Sequence, residues 1–239
     1  MLKLFRLLSL ALMVLLLPAV SVQAAVVETL YTDDATAHAD GARYFQVRNT
    51  DDFAGSYYEV QRVHTDSFGQ GILDERANMT HTNGLAQDFS LDYDSSAHTL
   101  TFSIAGVSMT HNIATSIAYD QVYIQAQSRG SSRTDYTQTT IADLAFNGVV
   151  LNNSTLVHTQ PGSFTPASGL LLTGEIFSGS DFSLTGNMTF DWPEGDSLSG
   201  GLMNLEAGMS SSVVPIPAAV WLFGSALAGL GWMKRKQVT

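Results

Sequence analysis

The sequence predicts an all-β protein: a β-sandwich of jelly-roll type, held between an N-terminal signal peptide and a single C-terminal transmembrane helix. Three observations predict it. Apolar residues recur at every second position in several short runs, the period of a strand with one buried face. Turn-forming residues separate these runs at roughly ten-residue spacing. No stretch between the two terminal segments shows a helical period of useful length. The organisation read from this is a signal peptide over 1–24, a sandwich ectodomain over 25–207, a linker over 208–213 and a tail with the transmembrane helix over 214–237.

The N-terminus has the three parts of a secretory signal. Lys3 and Arg6 precede an apolar run from Leu7 to Leu17, and Pro18 ends it. The small residues of Val22-Gln23-Ala24 place cleavage between Ala24 and Ala25.

Charge is divided unevenly along the chain. Lys3, Arg6, Lys234, Arg235 and Lys236 lie in the terminal segments, so the ectodomain has six of the 11 cations and all 22 acids, a net of −16. It has no lysine. An acidic surface of this kind repels nucleic acid and anionic lipid. It attracts cations such as Ca²⁺, although a solvated secreted surface explains it as well. The chain has no cysteine, which excludes disulfides, thiol catalysis and cysteine-based zinc sites.

Strand alternation is seen at Phe89, Leu91 and Tyr93, at Leu100, Phe102 and Ile104, and at Val122, Ile124 and Ala126. The longest run is Phe182, Leu184, Met188, Phe190 and Trp192, with Gly186 filling the gap. Turns are expected at Asn83-Gly84, Asp94-Ser95-Ser96, Ser128 to Ser132, Asn147-Gly148 and Gly179-Ser180. Leu171 to Phe177 is echoed by Ser183 to Thr189, which predicts two adjacent antiparallel strands around a turn at Ser178 to Ser180. The Gly- and Ser-rich stretch from Gly208 to Val213 predicts a flexible linker, with a last strand possible over Ser199 to Ala207.

The tail begins with Pro215-Ile216-Pro217 and continues uncharged from Ala218 to Met233. As a helix that run spans roughly 24 Å, slightly short of a bilayer core of about 30 Å. Prolines are tolerated at a helix start, where the first N–H groups have no helical partner. Trp221 and Trp232 stand near the two ends, at the depth where indole rings prefer a membrane interface. Lys234, Arg235 and Lys236 then fix the cytoplasmic side.

These residues resemble the PEP-CTERM sorting signal of bacteria. The matching run is Val214-Pro215-Ile216-Pro217-Ala218-Ala219-Val220-Trp221-Leu222-Phe223-Gly224-Ser225, with Ile216 in place of the glutamate that names the family. The resemblance covers about the last 25 residues. It implies export, transient residence in the inner membrane, recognition by an exosortase near the two prolines, and a final place at the cell surface or in an exopolysaccharide matrix. The same tail is also labelled an ice-binding protein C-terminal domain, a label that describes the tail. The ectodomain loosely resembles the choice-of-anchor type of bacterial surface domain.

Ectodomain chemistry is sparse. The motifs G-x-S-x-G, H-E-x-x-H and G-x-G-x-x-G and the phosphate loop are missing, and a Ser-Lys mechanism has no lysine to use. His81 and His111 each end a Met-Thr-His triplet. Two such strands, if paired, bring both imidazoles near an acid as metal ligands or a base pair; chance recurrence on solvated faces is the commoner outcome. His38, His64, His98 and His158 carry no motif. The acidic pairs Asp33-Asp34, Asp51-Asp52, Asp74-Glu75 and Asp92-x-Asp94 are loop oxygen donors of the kind Ca²⁺ takes, but none matches the full calcium loop. Tyr44-Phe45 and Tyr57-Tyr58 each leave one ring facing out of a strand, a surface on which sugars stack. No catalytic residue, metal ligand or cofactor is assigned. The leading expectation is a non-enzymatic exported surface or matrix protein that meets exosortase, export machinery and exopolysaccharide. A carbohydrate- or calcium-binding module, a polysaccharide hydrolase and an ice-binding protein are the alternatives, the last set back by threonines without a fixed period.

Overall fold

The computed structural model describes residues 26–32, 42–52, 55–66, 70–115, 119–129, 136–161, 168–174, 180–192 and 202–211. The expected signal peptide, cleavage site and sorting tail lie outside these residues. The first seven strands are β1 (Val27–Tyr31), β2 (Arg43–Asp52), β3 (Gly55–Thr65), β4 (Gly71–Met79), β5 (Gln87–Asp94), β6 (Thr99–Ile104) and β7 (Val107–Asn112). The next seven are β8 (Gln121–Arg129), β9 (Tyr136–Phe146), β10 (Val149–Val150), β11 (Leu156–Pro161), β12 (Ser168–Thr173), β13 (Phe182–Asp191) and β14 (Leu202–Ser210).

They form two antiparallel sheets. Sheet A has the order β1-β12-β8-β14-β2-β3-β4. Sheet B has the order β10-β9-β13-β5-β6-β7, with β11 also paired to β9. The all-β expectation is met, and the two sheets pack on one shared core. Each strand places alternate side chains inward. Sheet A contributes Phe45, Val47, Val122, Ile124, Leu205 and Met209, and sheet B contributes Leu91, Phe102, Ile141, Leu184, Met188 and Phe190, all buried. Phe45 of β2 stacks on Phe102 of β6 with ring centroids 5.5 Å apart, so one aromatic pair spans the two sheets. Fully burying such a ring stabilises the fold by roughly 1.5–3 kcal/mol.

The alternating runs fall where sequence placed them, on the inward faces of β5, β6, β8 and β13. Gly186 fills its gap for a steric reason. A Cβ there lies 2.9 Å from the Ala142 carbonyl and 3.0 Å from Phe89 and Leu144, and the β13–β9 register shifts beside it, between Thr185 and Asn187.

Four expectations are corrected. The echoed segments are not neighbours: β12 pairs with β8 and β1 in sheet A, whereas β13 pairs with β5 and β9 in sheet B. Similar local spelling sets a strand face and does not choose the partner. Gly208, assigned to the linker, lies in β14 at the centre of sheet A, and the strand runs on to Ser210. The β2 strand crowds it through the Arg43 carbonyl and Tyr44, so the glycine there reflects close packing. Ser128, expected in a turn, is buried inside β8. Tyr44 and Phe45 are both buried: Phe45 joins the main core, while Tyr44 packs on the other side of sheet A with Tyr31, Val63, Tyr123 and Leu171.

Asn147-Gly148 forms the expected two-residue hairpin loop, both residues having positive φ. Ala105-Gly106 makes the same turn between β6 and β7, with φ of 49° and 79°. Sequence passed over it because alanine is not a turn residue. A Cβ-bearing residue held left-handed costs about 1–2 kcal/mol. Ala105→Gly should therefore raise stability by up to about 1 kcal/mol, measured as a higher urea midpoint with unchanged slope.

Candidate functional site

The outward side of sheet A carries the densest polar arrangement among the described residues. Because β8, β14, β2 and β3 are hydrogen-bonded in sequence across the sheet, their outward residues line up in rows. One row runs Gln125, Glu206, Gln46, Gln61, Arg76 across β8, β14, β2, β3 and β4. The next runs Gln127, Asn204, Arg48, Glu59, Asn78 across the same strands.

In the first row, Glu206 is 4% exposed and accepts from three amides. Gln46 Nε2 and Asn204 Nδ2 donate to its Oε1 at 2.9 and 2.8 Å, and Gln125 Nε2 donates to its Oε2 at 2.6 Å. Gln125 in turn accepts from the Tyr31 hydroxyl at 3.3 Å. That reach is permitted by Gly169, where any Cβ would lie 2.2 Å from the Tyr31 ring.

In the second row, Arg48 Nε donates to Glu59 Oε1 at 2.8 Å, and Gln61 Nε2 donates to the same oxygen at 2.6 Å. Glu59 is 1% exposed, while the Arg48 side chain is 31% exposed. Two acceptors of this row have no partner: Glu59 Oε2 and Asn204 Oδ1. A buried polar group without a partner costs about 1–3 kcal/mol. Sequence reading missed these residues because each stands alone in the chain. Their signal was available on the off-beat of the alternation: Gln46-x-Arg48, Glu59-x-Gln61, Gln125-x-Gln127 and Asn204-x-Glu206.

The histidines separate. His111 lies on the inward face of β7, 4% exposed, and His81 lies beyond β4, so the two triplets do not pair. His111 Nε2 faces the Tyr44 carbonyl at 3.2 Å and so carries the proton. Its Nδ1 is 4.0 Å from Asp74 Oδ2, and Asp74 Oδ1 lies 2.9 Å from His64 Nδ1. Burial pushes the His111 pKa down to about 4, opposed by the Tyr44 carbonyl and Asp74 and assisted by Arg62 and Arg43. His81 packs against Tyr58, Phe190 and Trp192, with ring centroids 4.9, 5.3 and 6.5 Å away. Burial lowers its pKa also. His158 Nδ1 accepts from the Ser128 N–H at 2.8 Å, and His98 occupies a left-handed turn position. His38 lies outside the described residues.

The acidic pairs are mostly structural. Asp74 meets His64, and Glu75 lies 3.3 Å from Arg62. Asp92 accepts from the Ser90 hydroxyl. Asp94 accepts from the backbone of Ala97 and from the side chain and backbone of Ser96, which holds its carboxyl below the usual range and closes the β5–β6 turn. Asp33-Asp34 and the side chains of Asp51-Asp52 and Tyr57 lie outside the described residues. Among the described residues no group of three His, Asp or Glu side chains is arranged to hold a metal ion.

The outward side of sheet B is different. It exposes hydroxyls in cross-strand pairs, Thr101 with Thr110 at 3.0 Å and Ser103 with Ser108 at 3.1 Å. An open groove of about 480 Å³ lies along Asp88, Ser90, Ser103 and Ser108 beside the Ala105-Gly106 turn.

The fold and this site together define an all-β domain of two packed sheets bearing an amide- and carboxylate-rich face. No family model matches the chain, and no curated protein matches it.

Proposed function

We propose that the chain is an exported cell-surface or matrix protein, sorted by an exosortase through Val214 to Ser225, that acts by contact and not by catalysis. The jelly-roll form of the sandwich, the signal peptide and the transient transmembrane helix belong to the same proposal. The observation that carries it is the end of β14. The strand closing the centre of sheet A stops at Ser210, and the proline-marked entry begins within a few residues at Val214. A cut near Pro215-Ile216-Pro217 therefore removes the tail and spares every described strand. Contact is favoured over hydrolysis because the partnered carboxylates among the described residues serve turns, cross-strand amides, a hydroxyl, arginines or, at Asp74, a histidine.

Replacing Pro215 and Pro217 by alanine should leave export intact and block removal of the tail. Mass spectrometry of the cell envelope reads the outcome. Appearance of the processed form in the double variant rules the sorting proposal out.

A further inference from the structure

The two open sides of the sandwich are finished differently. On one side stand β4 of sheet A and β7 of sheet B. β4 carries Asp74, Glu75 and Arg76 in succession, and its register with β3 shifts between Arg62 and Val63. Arg62 also donates to the Thr110 carbonyl of β7 at 2.6 Å. Charges and a bulge on an edge strand are devices that keep other chains from pairing with it.

The opposite side is formed by β1 of sheet A and by β10 and β11 of sheet B. These three strands hold five of the eight large apolar side chains exposed among the described residues: Val27, Leu30, Val149, Val150 and Val157. Together they expose an apolar area on the order of a few hundred Å², the scale at which surface patches are often functional. The one acid on these strands is Glu28, and it is committed inside the molecule. Its Oε1 accepts from the backbone and side chain of Asn152, and its Oε2 from those of Asn153. These bonds tie β1 to the turn between β10 and β11. Among the described residues no backbone bond reaches the outer side of β1, whose paired strand is β12. This edge has no bulge, no proline and no lysine.

The occupant follows from charge. The ectodomain carries a net of −16, so two copies repel one another across most of their surface. β1 lacks that obstacle and is self-complementary. In an antiparallel pair of two β1 strands centred on Thr29, Val27 stands opposite the second copy's Tyr31 and Glu28 opposite its Leu30. No like charges face each other, an arrangement that would weaken the pair.

We propose that β1 is a self-association edge: two copies of the chain pair their β1 strands antiparallel about a two-fold axis at Thr29, joining their A sheets into one and covering Val27 and Leu30. An isologous contact of this kind closes at two copies and does not grow into a fibre. Pairing at β1 does not depend on the sorting tail.

The chain has no cysteine, so one introduced thiol reads the geometry. Directly opposed residues of antiparallel strands stand about 4.5–5.5 Å apart at Cα, within the reach of a disulfide. Purified full-length Thr29→Cys, oxidised in mild detergent, should run at twice the monomer mass on a non-reducing gel. Asn78→Cys, exposed on β4, should crosslink at least tenfold more slowly. Thr29→Lys sets two ammonium groups opposite each other at the axis. By analytical ultracentrifugation it should lower the weight-average mass from near two copies to near one, with the melting temperature within a few degrees of wild type. The tail is intact in every variant, so association through the tail would leave all of them alike. A monomeric wild type, no crosslink at Thr29, equal crosslinking at Thr29 and Asn78, or a dimer that survives Thr29→Lys overturns the edge.

Discussion

Gly208→Ala is expected to destabilise the domain by about 3 kcal/mol, the upper part of the usual range for overpacking. A Cβ at this position lies 2.4 Å from the Arg43 carbonyl oxygen, 2.5 Å from Tyr44 Cβ and 2.7 Å from Tyr44 Cα. All three atoms are backbone or fixed to it, so no rotamer change relieves the contact. The β14 and β2 backbones would have to part, weakening the pairing that joins the two halves of sheet A. For a domain of this size the loss should appear as a fall in melting temperature on the order of 10 °C. A melting temperature within a degree or two of wild type would show that β2 and β14 are not held this closely.

Acid should destabilise the protein well before its carboxylates titrate. The His111 pKa lies at about 4 in the fold, against an ordinary 6.5. A base with a depressed folded-state value takes up its proton more readily once unfolded. Stability is therefore intact above pH 6.5, declines as pH falls, and has lost its full share near pH 4. The difference corresponds to roughly 3 kcal/mol. His81 is lowered by burial and acts in the same direction. Around His111 stand Asp74 and His64 from β4 and β3, with Arg62 and Arg43 from β3 and β2. His111→Gln keeps a donor for the Tyr44 carbonyl and removes the titration. Urea midpoints across pH 7 to 4 should fall steeply for wild type and more gently for the variant; parallel curves would assign the acid sensitivity elsewhere.

The strands were legible because burial on one face writes a period of two into the chain. Leu100, Phe102 and Ile104, and Phe182 to Phe190, announce their faces without any knowledge of partners. Pairing was not legible. Leu171 to Phe177 and Ser183 to Thr189 look alike, yet β12, which holds Leu171 to Thr173, and β13 belong to opposite sheets, because the partner is chosen by the whole core. Gly208 misled because a glycine admitted for close approach is spelled like one admitted for flexibility. The polar rows were hidden for a third reason. Gln125, Glu206 and Gln46 are far apart in sequence and meet only through register. The pairing of His81 with His111 beside an acid did not arise: Asp74 meets His64 at 2.9 Å and lies 4.0 Å from His111, while His81 packs against Tyr58 and Trp192.

The place of β14 has a consequence for the order of events during synthesis. Sheet A takes its fourth strand of seven, between β8 and β2, from the last described segment of the chain. Until Ser210 has emerged, β8 and β2 each present an open edge, and open edges invite pairing with other chains. A chain that emerges N-terminus first therefore cannot close this sheet until β14 has emerged. The wait, more than the finished fold, is the interval in which this domain is exposed to aggregation and to proteases.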